Sequence, residues 1–442
     1  MIKSRFVVAV VLVISTLFYS TSCSNEVTES NSSKTLRVDY ILSGNDQNID
    51  ISLSEILKFD GWAGRSVNMD TLALKGNGEI RMYDRESGKL LYCQSFSTLF
   101  QEWLATEEAT KVTKGFENVF LLPMPEKSVY VTIKLYDFYG NVKSSLTHEI
   151  DPNDILIREL RGESANHKYL LKSGNPSEKI DIAIIAEGYT ASERSKFYND
   201  AEVAMNAILS HAPFDKYKDC FNFVAVALES SESGVSVPGS GDWRDSALKS
   251  HFNTFYSDRY LTTLHISNLH DKMVGIPYEH FVILANTETY GGGGIFNSYT
   301  LTTSGHESFK PVVVHEFGHS FAGLADEYFY DDQFVEYYYP QAEPWEQNIT
   351  TLYNFQSKWE DMLPEGCEIP TALPDGNIWE KISSGENPES LIGVYEGGGY
   401  QSKGVFRPYV DCRMHTNKAE AFCPVCQRAI SRIIDFYTVE IE

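Results

Sequence analysis

The sequence predicts an α+β protein of more than one domain, in which a β-sandwich precedes an α/β domain. The first observation is a series of short runs that alternate apolar and polar residues up to about residue 151. The second is a change of pattern from residue 179, where strand-like runs alternate with stretches of helical period. The third is a helix-like segment at residues 312–328 that concentrates histidines and acids. Together they place a supporting β domain ahead of the domain that carries the chemistry.

The first 34 residues are predicted to be a leader and a tether. Lys3 and Arg5 precede an apolar run at residues 6–18, which is too short to span a bilayer comfortably. Small residues then lead to Cys23, so residues 1–22 resemble a bacterial lipoprotein signal with Cys23 as the lipidated first residue of the mature chain. An ordinary cleaved signal with an incidental cysteine is the alternative. Residues 23–34 are rich in Ser and Asn, which predicts a flexible tether.

Residues 35–155 are predicted to form the β-sandwich. Four segments have the period of two that is typical of half-buried strands, and glycine–asparagine pairs mark turns between such segments. These segments are residues 36–42, 79–83, 90–96 and 129–136. No cluster of catalytic residue types occurs here, so we expect this domain to support the rest of the chain or to present substrate.

The second predicted domain spans residues 160–442. Strand-like runs alternate with predicted helices, as in α/β proteins. The strands are expected at residues 180–186, 221–228 and 278–286, and the helices at residues 192–209 and 246–256 and after Pro424. Four glycines at residues 291–294 precede the histidine-rich segment. If they form an edge strand, their backbone groups would pair with an extended peptide; a plain loop is the alternative.

The histidine-rich segment reads VVVHEFGHSFAGLADEY and contains HExxH, with His315, Glu316 and His319 as its defining residues. Residues four apart lie on one face of a helix, so both imidazoles can bind one metal ion. Glu316 is turned away by about 100°, from where its carboxylate reaches a water on that metal but is poorly placed as a ligand. This pattern is the signature of a zinc peptidase, in which the carboxylate accepts the proton of the attacking water.

A third protein ligand is expected after the helix, and we predict Asp326. Gly323 suits a helix end and lies three residues before Asp326, which is the metzincin arrangement. The glycine comes one residue later than the metzincin pattern requires, and an acid replaces the third histidine. Glu327 is therefore a rival ligand. A distant glutamate such as Glu336 or Glu343 would instead make a gluzincin-type site.

Further candidate residues lie between this segment and the end of the chain. Tyr400 and Tyr409 are both candidates to donate a hydrogen bond to the oxyanion, and the sequence does not choose between them. Met414 lies in a turn-like stretch before the last helix, where metzincins place a methionine beneath the zinc. Ordinary core packing is the alternative for a single methionine, because thioethers fill gaps.

A pattern C-x₂-H-x₇-C-x₂-C combines four late residues, out of a chain that has seven cysteines. These residues are Cys412, His415, Cys423 and Cys426. They fit a second, structural zinc ion, whereas an oxidising compartment favours disulfides. The connectivity of such disulfides cannot be deduced from the sequence.

Composition limits the partners of the chain. It has 442 residues, of which 42% are hydrophobic, enough for a large core. The formal charge of −24 argues against nucleic acid as a partner, because phosphates repel an acidic surface. Such a surface suits calcium, although no calcium loop motif occurs. We predict an exported monomer, lipid-anchored at the bacterial outer membrane or cell surface, whose only membrane contact is the lipid at Cys23.

Five stretches resemble the IgA-peptidase family of zinc metallopeptidases. They are HEFGHSFAGLADEY at residues 315–328, YEGGGY at 395–400, KGVFRPYVDCRM at 403–414, FCPVC at 422–426 and IIAEGYT at 184–190. The resemblance covers roughly residues 160–442, and the preceding β domain resembles the N-terminal domain of many such proteins. It implies a metzincin-like catalytic domain, one zinc ion and endopeptidase activity. It also implies His315 and His319 as ligands and Glu316 as the catalytic acid and base.

We therefore expect a secreted, lipid-anchored zinc endopeptidase whose substrates are proteins or peptides, with host immunoglobulins and glycoproteins as candidates. Zinc on His315, His319 and Asp326 would activate the water that Glu316 deprotonates. The alternative is a surface lipoprotein that binds its partner and keeps a catalytically idle metal site, but such a binder has no need of the base at Glu316. The resemblance does not establish immunoglobulin A as the substrate.

Overall fold

The fold is described from a computed structural model that covers residues 34–330 and 338–440. The predicted signal peptide, the tether with Cys23 and the candidate ligand Glu336 fall outside these residues, apart from Lys34 at the end of the tether. Within them the chain is mixed α/β, with four sheets and few α-helices. No helix in the described part is both long enough and apolar enough to cross a bilayer.

The N-terminal region, where the sequence predicts a β-sandwich, contains two four-stranded sheets. Its elements are β1 (Lys34–Gly44), β2 (Ile49–Asp60), β3 (Gly78–Asp84), β4 (Leu90–Phe96), α1 (Leu99–Trp103), β5 (Lys114–Pro123), β6 (Val129–Tyr136), β7 (Val142–Ile150) and β8 (Arg158–Glu159). One sheet has the order β5-β1-β2-β8 and the other β4-β3-β6-β7. Alternate residues such as Val38 in β1 and Ile133 in β6 are fully buried and belong to one hydrophobic cluster.

The next region is built on a six-stranded sheet of order β13-β14-β12-β10-β11-β9. Its elements are β9 (His167–Lys172), β10 (Ile180–Glu187), α2 (Arg194–Leu209), β11 (Phe221–Val226), α3 (Ile266–Asp271), β12 (His280–Ala285), β13 (Gly292–Ile295), β14 (Tyr299–Thr303) and α4 (Phe309–Ala322). The inner strands run parallel, and β9 and β13 are antiparallel edges. Every residue of β10 is buried, as expected of a parallel strand covered on both faces.

The two faces of this sheet pack against different layers. Ile182 and Ile184 belong to a core that includes residues of helices α2 and α4. Ala183 and Ile185, which alternate with them, belong to the core that the N-terminal sheets also share. This shared core crosses the position near residue 160 where the sequence predicts a domain boundary. The boundary itself stays a prediction.

The last region packs around helix α4. Its elements are β15 (Phe329–Tyr330), α5 (Ile378–Ser383), β16 (Tyr395–Gly398), β17 (Tyr400–Arg407) and α6 (Pro424–Thr438). A three-stranded sheet has the order β15-β17-β16. The predicted last helix is confirmed as α6, which begins at Pro424 and buries Val425, Ala429 and Ile433.

The helix predicted at residues 246–256 is wrong. Glu187, at the end of β10, is fully buried and its carboxylate draws this segment into an irregular path. It accepts hydrogen bonds from Ser246 Oγ at 2.6 Å and from the backbone N of Leu248 at 2.7 Å. It also accepts from Ser250, from the backbone N at 2.9 Å and from Oγ at 2.6 Å. These bonds to a side chain take the place of a helical ladder.

His280 should make the fold sensitive to acid. Its ring meets those of Phe321 and Tyr437 edge-on and is 4% exposed, and burial lowers its pKa to about 3. A histidine of the unfolded chain titrates near ~6.5, so the unfolded state gains a proton first as the pH falls. The contribution of His280 to stability is therefore complete above the unfolded pKa of ~6.5. It is lost as the pH falls from there to the folded pKa of about 3. The free energy of unfolding should fall by up to ~1.4 kcal/mol per pH unit from this residue.

Urea unfolding measured between about pH 4 and pH 7 tests this expectation. His280→Phe should flatten the dependence, because the aromatic replacement has nothing to titrate. His167→Phe, at an exposed position, should leave it unchanged. Equal slopes for wild type and His280→Phe would contradict the assignment.

Candidate metal centre

Helix α4 and the turn after it bring the predicted metal ligands together. The helix ends at Gly323, as the sequence predicts, and this residue has a left-handed φ of 59°. The turn sends the chain back along the helix, so that Asp326 meets His315 and His319. The structure thus assembles from one continuous segment the three residues that the sequence predicts as ligands.

Three side-chain atoms converge at this point. Nε2 of His315 and Nε2 of His319 are 3.1 Å apart. Oδ1 of Asp326 lies 3.0 Å from the first nitrogen and 3.2 Å from the second. A tetrahedral zinc ion with bonds of about 2.0–2.1 Å separates its ligand atoms by about 3.3–3.4 Å. The observed spacing therefore fits a metal ion of this size.

Backbone carbonyls fix the tautomer of both imidazoles. Nδ1 of His315 lies 2.9 Å from the carbonyl oxygen of Arg413, and Nδ1 of His319 lies 2.5 Å from that of Leu324. A carbonyl only accepts, so each Nδ1 carries the proton and each Nε2 keeps its lone pair. Oδ1 of Asp326 then has no hydrogen-bond donor among the described residues. Three electron-rich atoms thus face one point, as metal ligands do.

The carboxylate of Asp326 and the imidazole of His319 shift each other's pKa. Burial lowers the pKa of His319, but Asp326 beside it outweighs this effect and raises the pKa to about 9. Burial raises the pKa of Asp326, but the two imidazoles outweigh that and hold it far below its ordinary value. Both shifts have one cause, because a negative carboxylate and a positive imidazolium stabilise each other at this distance. A divalent metal ion supplies that charge without a proton.

The carboxylate of Glu316 lies beside the histidines. One of its oxygens is within 4.8 Å of a ring nitrogen of His315 and of His319. A Cβ built on Gly292 would be 2.8 Å from Oε1 of Glu316, so a side chain there would displace the carboxylate. Burial raises the pKa of Glu316, while the two histidines oppose the shift. A carboxylate with a raised pKa suits proton transfer better than an ordinary one.

The glycine run is an edge strand rather than a plain loop. It forms β13, which pairs antiparallel with β14. The edge is not wholly free, because the backbone N of Gly292 donates to the carbonyl of Arg259 at 3.3 Å and its carbonyl accepts from Leu261 at 3.4 Å. An extended peptide would find these two groups already paired.

Of the two candidate tyrosines, the structure brings only Tyr400 to the histidines. Its hydroxyl donates to Oδ2 of Asp326, and its backbone is held at a left-handed φ of 68°. Tyr409 is 1% exposed and donates to the carbonyl of Pro388 at 3.0 Å. Its ring belongs to the hydrophobic core, so Tyr409 lies outside the site.

The rival glutamates of the described part point elsewhere. Oε1 of Glu327 lies 3.2 Å from Sγ of Cys426, whereas the carboxylate of its neighbour Asp326 contacts the two histidines. Oε2 of Glu343 accepts from the backbone N of Asn354 at 2.8 Å. Neither carboxylate contacts the histidines in the described structure.

Met414 packs against the helix that carries the histidines. It is fully buried, and a Cβ built on Gly318 would be 2.9 Å from its Sδ. The glycine between Phe317 and His319 therefore lets the thioether approach the helix closely. Met414 is thus part of the hydrophobic core around the helix that carries the candidate ligands.

The late cysteine pattern has a different fourth member from the one predicted. Nδ1 of His415 lies 2.8 Å from the carbonyl of Val410, and the histidine is not grouped with the cysteines. Glu327 occupies that place instead. All described cysteines are free thiols. The exchange depends on long-range packing, since Glu327 is far from the cysteines in sequence.

Three residues near the site were not predicted from the sequence. The ring of Tyr328 lies 6.5 Å from that of His315 and 5.3 Å from that of Tyr400. Tyr260 donates to a carboxylate oxygen of Glu102, a residue of α1 in the N-terminal region. Burial raises the pKa of Glu102 to about 7. Only Tyr328, at the end of the histidine-rich segment, offered a hint by its position.

Comparison with known protein families identifies the family of this chain. The family described as IgA peptidase M64 matches residues 169–386 and 380–434, more than half of the chain, and the family described as peptidase M64 N-terminus matches residues 26–147. The matched family places the protein in the metallopeptidase class. The chain belongs to the IgA peptidase M64 family.

Two further comparisons add little to this conclusion. A similar solved structure is described as the crystal structure of metalloproteinase-II from Bacteroides fragilis. It is 12% identical, the match covers 51% of this chain and 75% of that one, and the TM-score is 0.21. The comparison with curated proteins finds no match.

Adding a methyl group to the glycine strand should disturb the site. A Cβ on Gly294 would lie 2.4 Å from the carbonyl oxygen of Glu316 and 2.8 Å from Cβ of His319. We expect Gly294→Ala to lower the free energy of unfolding by about 1–3 kcal/mol, because strand or helix must move. Gly162→Ala, where nothing lies within 4 Å of the added Cβ, should have little effect. Equal urea midpoints for the two variants would contradict the close packing of β13 on α4.

Proposed function

We propose that the chain is a zinc-dependent endopeptidase that hydrolyses protein substrates. The observation that supports it best is the convergence of His315, His319 and Asp326 at 3.0–3.2 Å. The carboxylate of Glu316 lies beside this cluster. Metal-ligating atoms next to an acid that is not itself a ligand are the minimum that metal-assisted hydrolysis needs.

Two neutral imidazoles and one carboxylate are a common ligand set for catalytic zinc. In this chain His315, His319 and Asp326 would supply it, and Tyr400 would hold the outer oxygen of the carboxylate by its hydrogen bond. When bound, zinc supplies a Lewis acid that makes water more acidic and polarises a carbonyl group. Three protein ligands leave a position for water and substrate.

Glu316 is proposed to move the proton. Its carboxylate accepts a proton from the attacking water and later donates it to the nitrogen of the leaving amine. The half-buried position favours both steps, because burial raises the pKa of Glu316 and makes it a stronger base than an exposed carboxylate. The narrow space beside Gly292 keeps the carboxylate aimed in one direction.

Tyr400 is proposed to position Asp326 and to donate to the substrate oxygen that gains charge. Its hydroxyl already contacts the ligand carboxylate, whereas the hydroxyl of Tyr409 is engaged in the core. Oxyanion stabilisation needs a donor held in place before the reaction. The strained backbone of Tyr400, at φ 68°, is consistent with a residue held for such a role.

We propose protein or peptide substrates, with host immunoglobulins and glycoproteins as the first to test, since the family description names IgA. Export and lipid anchoring at Cys23, at the outer membrane or cell surface, are proposed from residues 1–22. We further propose a monomer that contacts no nucleic acid. Proteomic mapping of cleavage sites in a peptide library would define the sequence preference.

The finer fold assignment is also a proposal. Two four-stranded sheets with buried apolar residues in one cluster support a β-sandwich in the N-terminal region. An antiparallel edge strand beside the histidine helix, with Met414 packed against that helix, supports a metzincin-like catalytic region.

Replacing Glu316 tests the proton transfer. Glu316→Gln should keep zinc but lower kcat by about 10²–10⁴-fold, because an amide cannot accept the proton. Elemental analysis measures the zinc content. Hydrolysis is measured as casein digestion, with and without a chelator. Glu307→Gln, at an exposed position on the approach to the same helix, should be fully active. Wild-type activity in Glu316→Gln would refute the mechanism and leave the idle-site alternative open.

Replacing Asp326 tests the ligand set. Asp326→Ala should bind one zinc ion per chain fewer than wild type. Its loss of zinc affinity should exceed ~10–100-fold, the usual effect of removing a residue that only hydrogen-bonds to a metal ligand. Glu343→Ala should retain the full zinc content, since Glu343 bonds to Asn354 instead. Zinc lost from Glu343→Ala and kept in Asp326→Ala would favour the gluzincin-type arrangement.

The two tyrosines give a matched pair of variants. Tyr400→Phe should lower kcat/KM by about 10²-fold or more, the effect of removing an oxyanion donor. Tyr409→Phe should change it little, because its hydroxyl bonds to Pro388 away from the histidines. Steady-state kinetics on one fluorogenic peptide compares them. A lower kcat/KM for Tyr409→Phe than for Tyr400→Phe would contradict the assignment of Tyr400 as the oxyanion donor.

A further inference from the structure

A second group of metal-binding side chains lies apart from the histidines, and we name it the cysteine cluster. It consists of Glu327, Cys412, Cys423 and Cys426, and one ligand atom of each lies within 4.8 Å of all the others. All four residues are fully buried. Three thiols and a carboxylate away from water are an unusual content for a hydrophobic core, because polar groups are costly to bury unless they are paired.

Three separate segments build the cluster. Glu327 follows Asp326 in the turn after α4, Cys412 lies just before Met414, and Cys423 caps the N-terminus of α6. The backbone N of Cys423 donates to Sγ of Cys412 at 3.2 Å. The backbone N of Cys426 likewise donates to Sγ of Cys423 at 3.4 Å. Backbone N–H groups aimed at sulfur, together with the positive end of helix α6, suit the negative charge that thiolate ligands carry in a metal site.

The spacing of the ligand atoms fits a tetrahedral metal ion. Sγ of Cys412 and Sγ of Cys426 are 3.8 Å apart, and Sγ of Cys426 is 3.2 Å from Oε1 of Glu327. Tetrahedral zinc, with Zn–S of about 2.3 Å and Zn–O of about 2.0 Å, sets these separations at about 3.8 Å and 3.5 Å. A disulfide would bring the two sulfurs to about 2.0 Å, far closer than they are.

The carboxylate of Glu327 gives a second, independent indication. Its Oε1 accepts a hydrogen bond from Nδ2 of Asn348 at 3.0 Å, but Oε2 has no partner among the described residues. Asn348 also bonds to Ala325 through both its side-chain oxygen and nitrogen, so the amide is fixed in orientation. A fully buried carboxylate with one unpartnered oxygen, facing thiols, is suited to bind a cation.

We propose that Glu327, Cys412, Cys423 and Cys426 bind a second zinc ion with a structural role. Four protein ligands leave no open position for water, which is the mark of a structural site. The ion would join the turn after α4 to the segment of Met414 and to helix α6. The backbone N of Glu327 already donates to the carbonyl of Met414 at 2.8 Å, next to the Arg413 carbonyl that bonds to His315. The second ion thus braces the backbone that orients the catalytic ligands.

The test uses the full chain with His315→Ala and His319→Ala combined, so that the histidine site is removed. This variant should retain one zinc ion per chain, and wild type two, by elemental analysis. X-ray absorption at the zinc edge of the double variant should show sulfur ligands at about 2.3 Å. The cobalt-substituted double variant should show a thiolate-to-cobalt charge-transfer band. Because the histidine site contains no sulfur, these signals report the cysteine cluster whether or not the chain is a peptidase.

Matched cysteine variants complete the design. Cys426→Ser in the double variant should abolish the bound zinc, and Cys426→His should restore part of it, since imidazole also binds zinc. Cys93→Ser, which alters another fully buried free thiol, should leave the zinc content unchanged. If Cys426→Ser does not fold, the spectra of the double variant decide alone. A double variant without zinc, zinc with only nitrogen and oxygen ligands, or a disulfide between Cys412 and Cys426 found by mass spectrometry would each overturn the proposal.

Discussion

Two hydrogen bonds to backbone carbonyls control the chemistry of the site. By accepting hydrogen bonds from Nδ1–H of His315 and His319, the carbonyls of Arg413 and Leu324 leave both Nε2 lone pairs facing Asp326. A helix with HExxH can place two imidazoles on one face, but it cannot choose their tautomers. The choice is made by a turn directly after the helix and by a segment near the end of the chain. The orientation of both imidazoles therefore depends on packing between the helix, the turn after it and the segment of Arg413.

Close packing around α4 follows from residues that lack a Cβ. On one side Gly292 and Gly294 let strand β13 reach Glu316 and His319, and on the other Gly318 admits the sulfur of Met414. Any side chain at these places would collide with an atom nearer than 3.0 Å. The helix is thus held between a strand and a thioether, which restricts the directions its functional side chains can take.

The parts of the site that sequence predicts are those set by local geometry. Helical spacing puts the two histidines of HExxH on one face, and the turn at Gly323 brings Asp326 back to them. Both effects depend only on residues that are close along the chain. By contrast, Glu327 joins the late cysteines and Tyr409 lies in the core because segments that are distant in sequence meet in the fold. The sequence alone does not show such contacts. Residues 246–256 show the same limit: their period suggests a helix, yet the buried carboxylate of Glu187 claims their hydrogen bonds.

The core shared by the N-terminal sheets and the six-stranded sheet has a practical consequence for producing the protein. Ala183 and Ile185 are wholly covered on that side, and Glu102 of the first helix reaches Tyr260 near the glycine strand. Trimming the gene to start after residue 159 would strip apolar cover from one side of the central layer. Recombinant material for crystallisation or inhibitor screening is therefore better begun at the first strand than at the catalytic half.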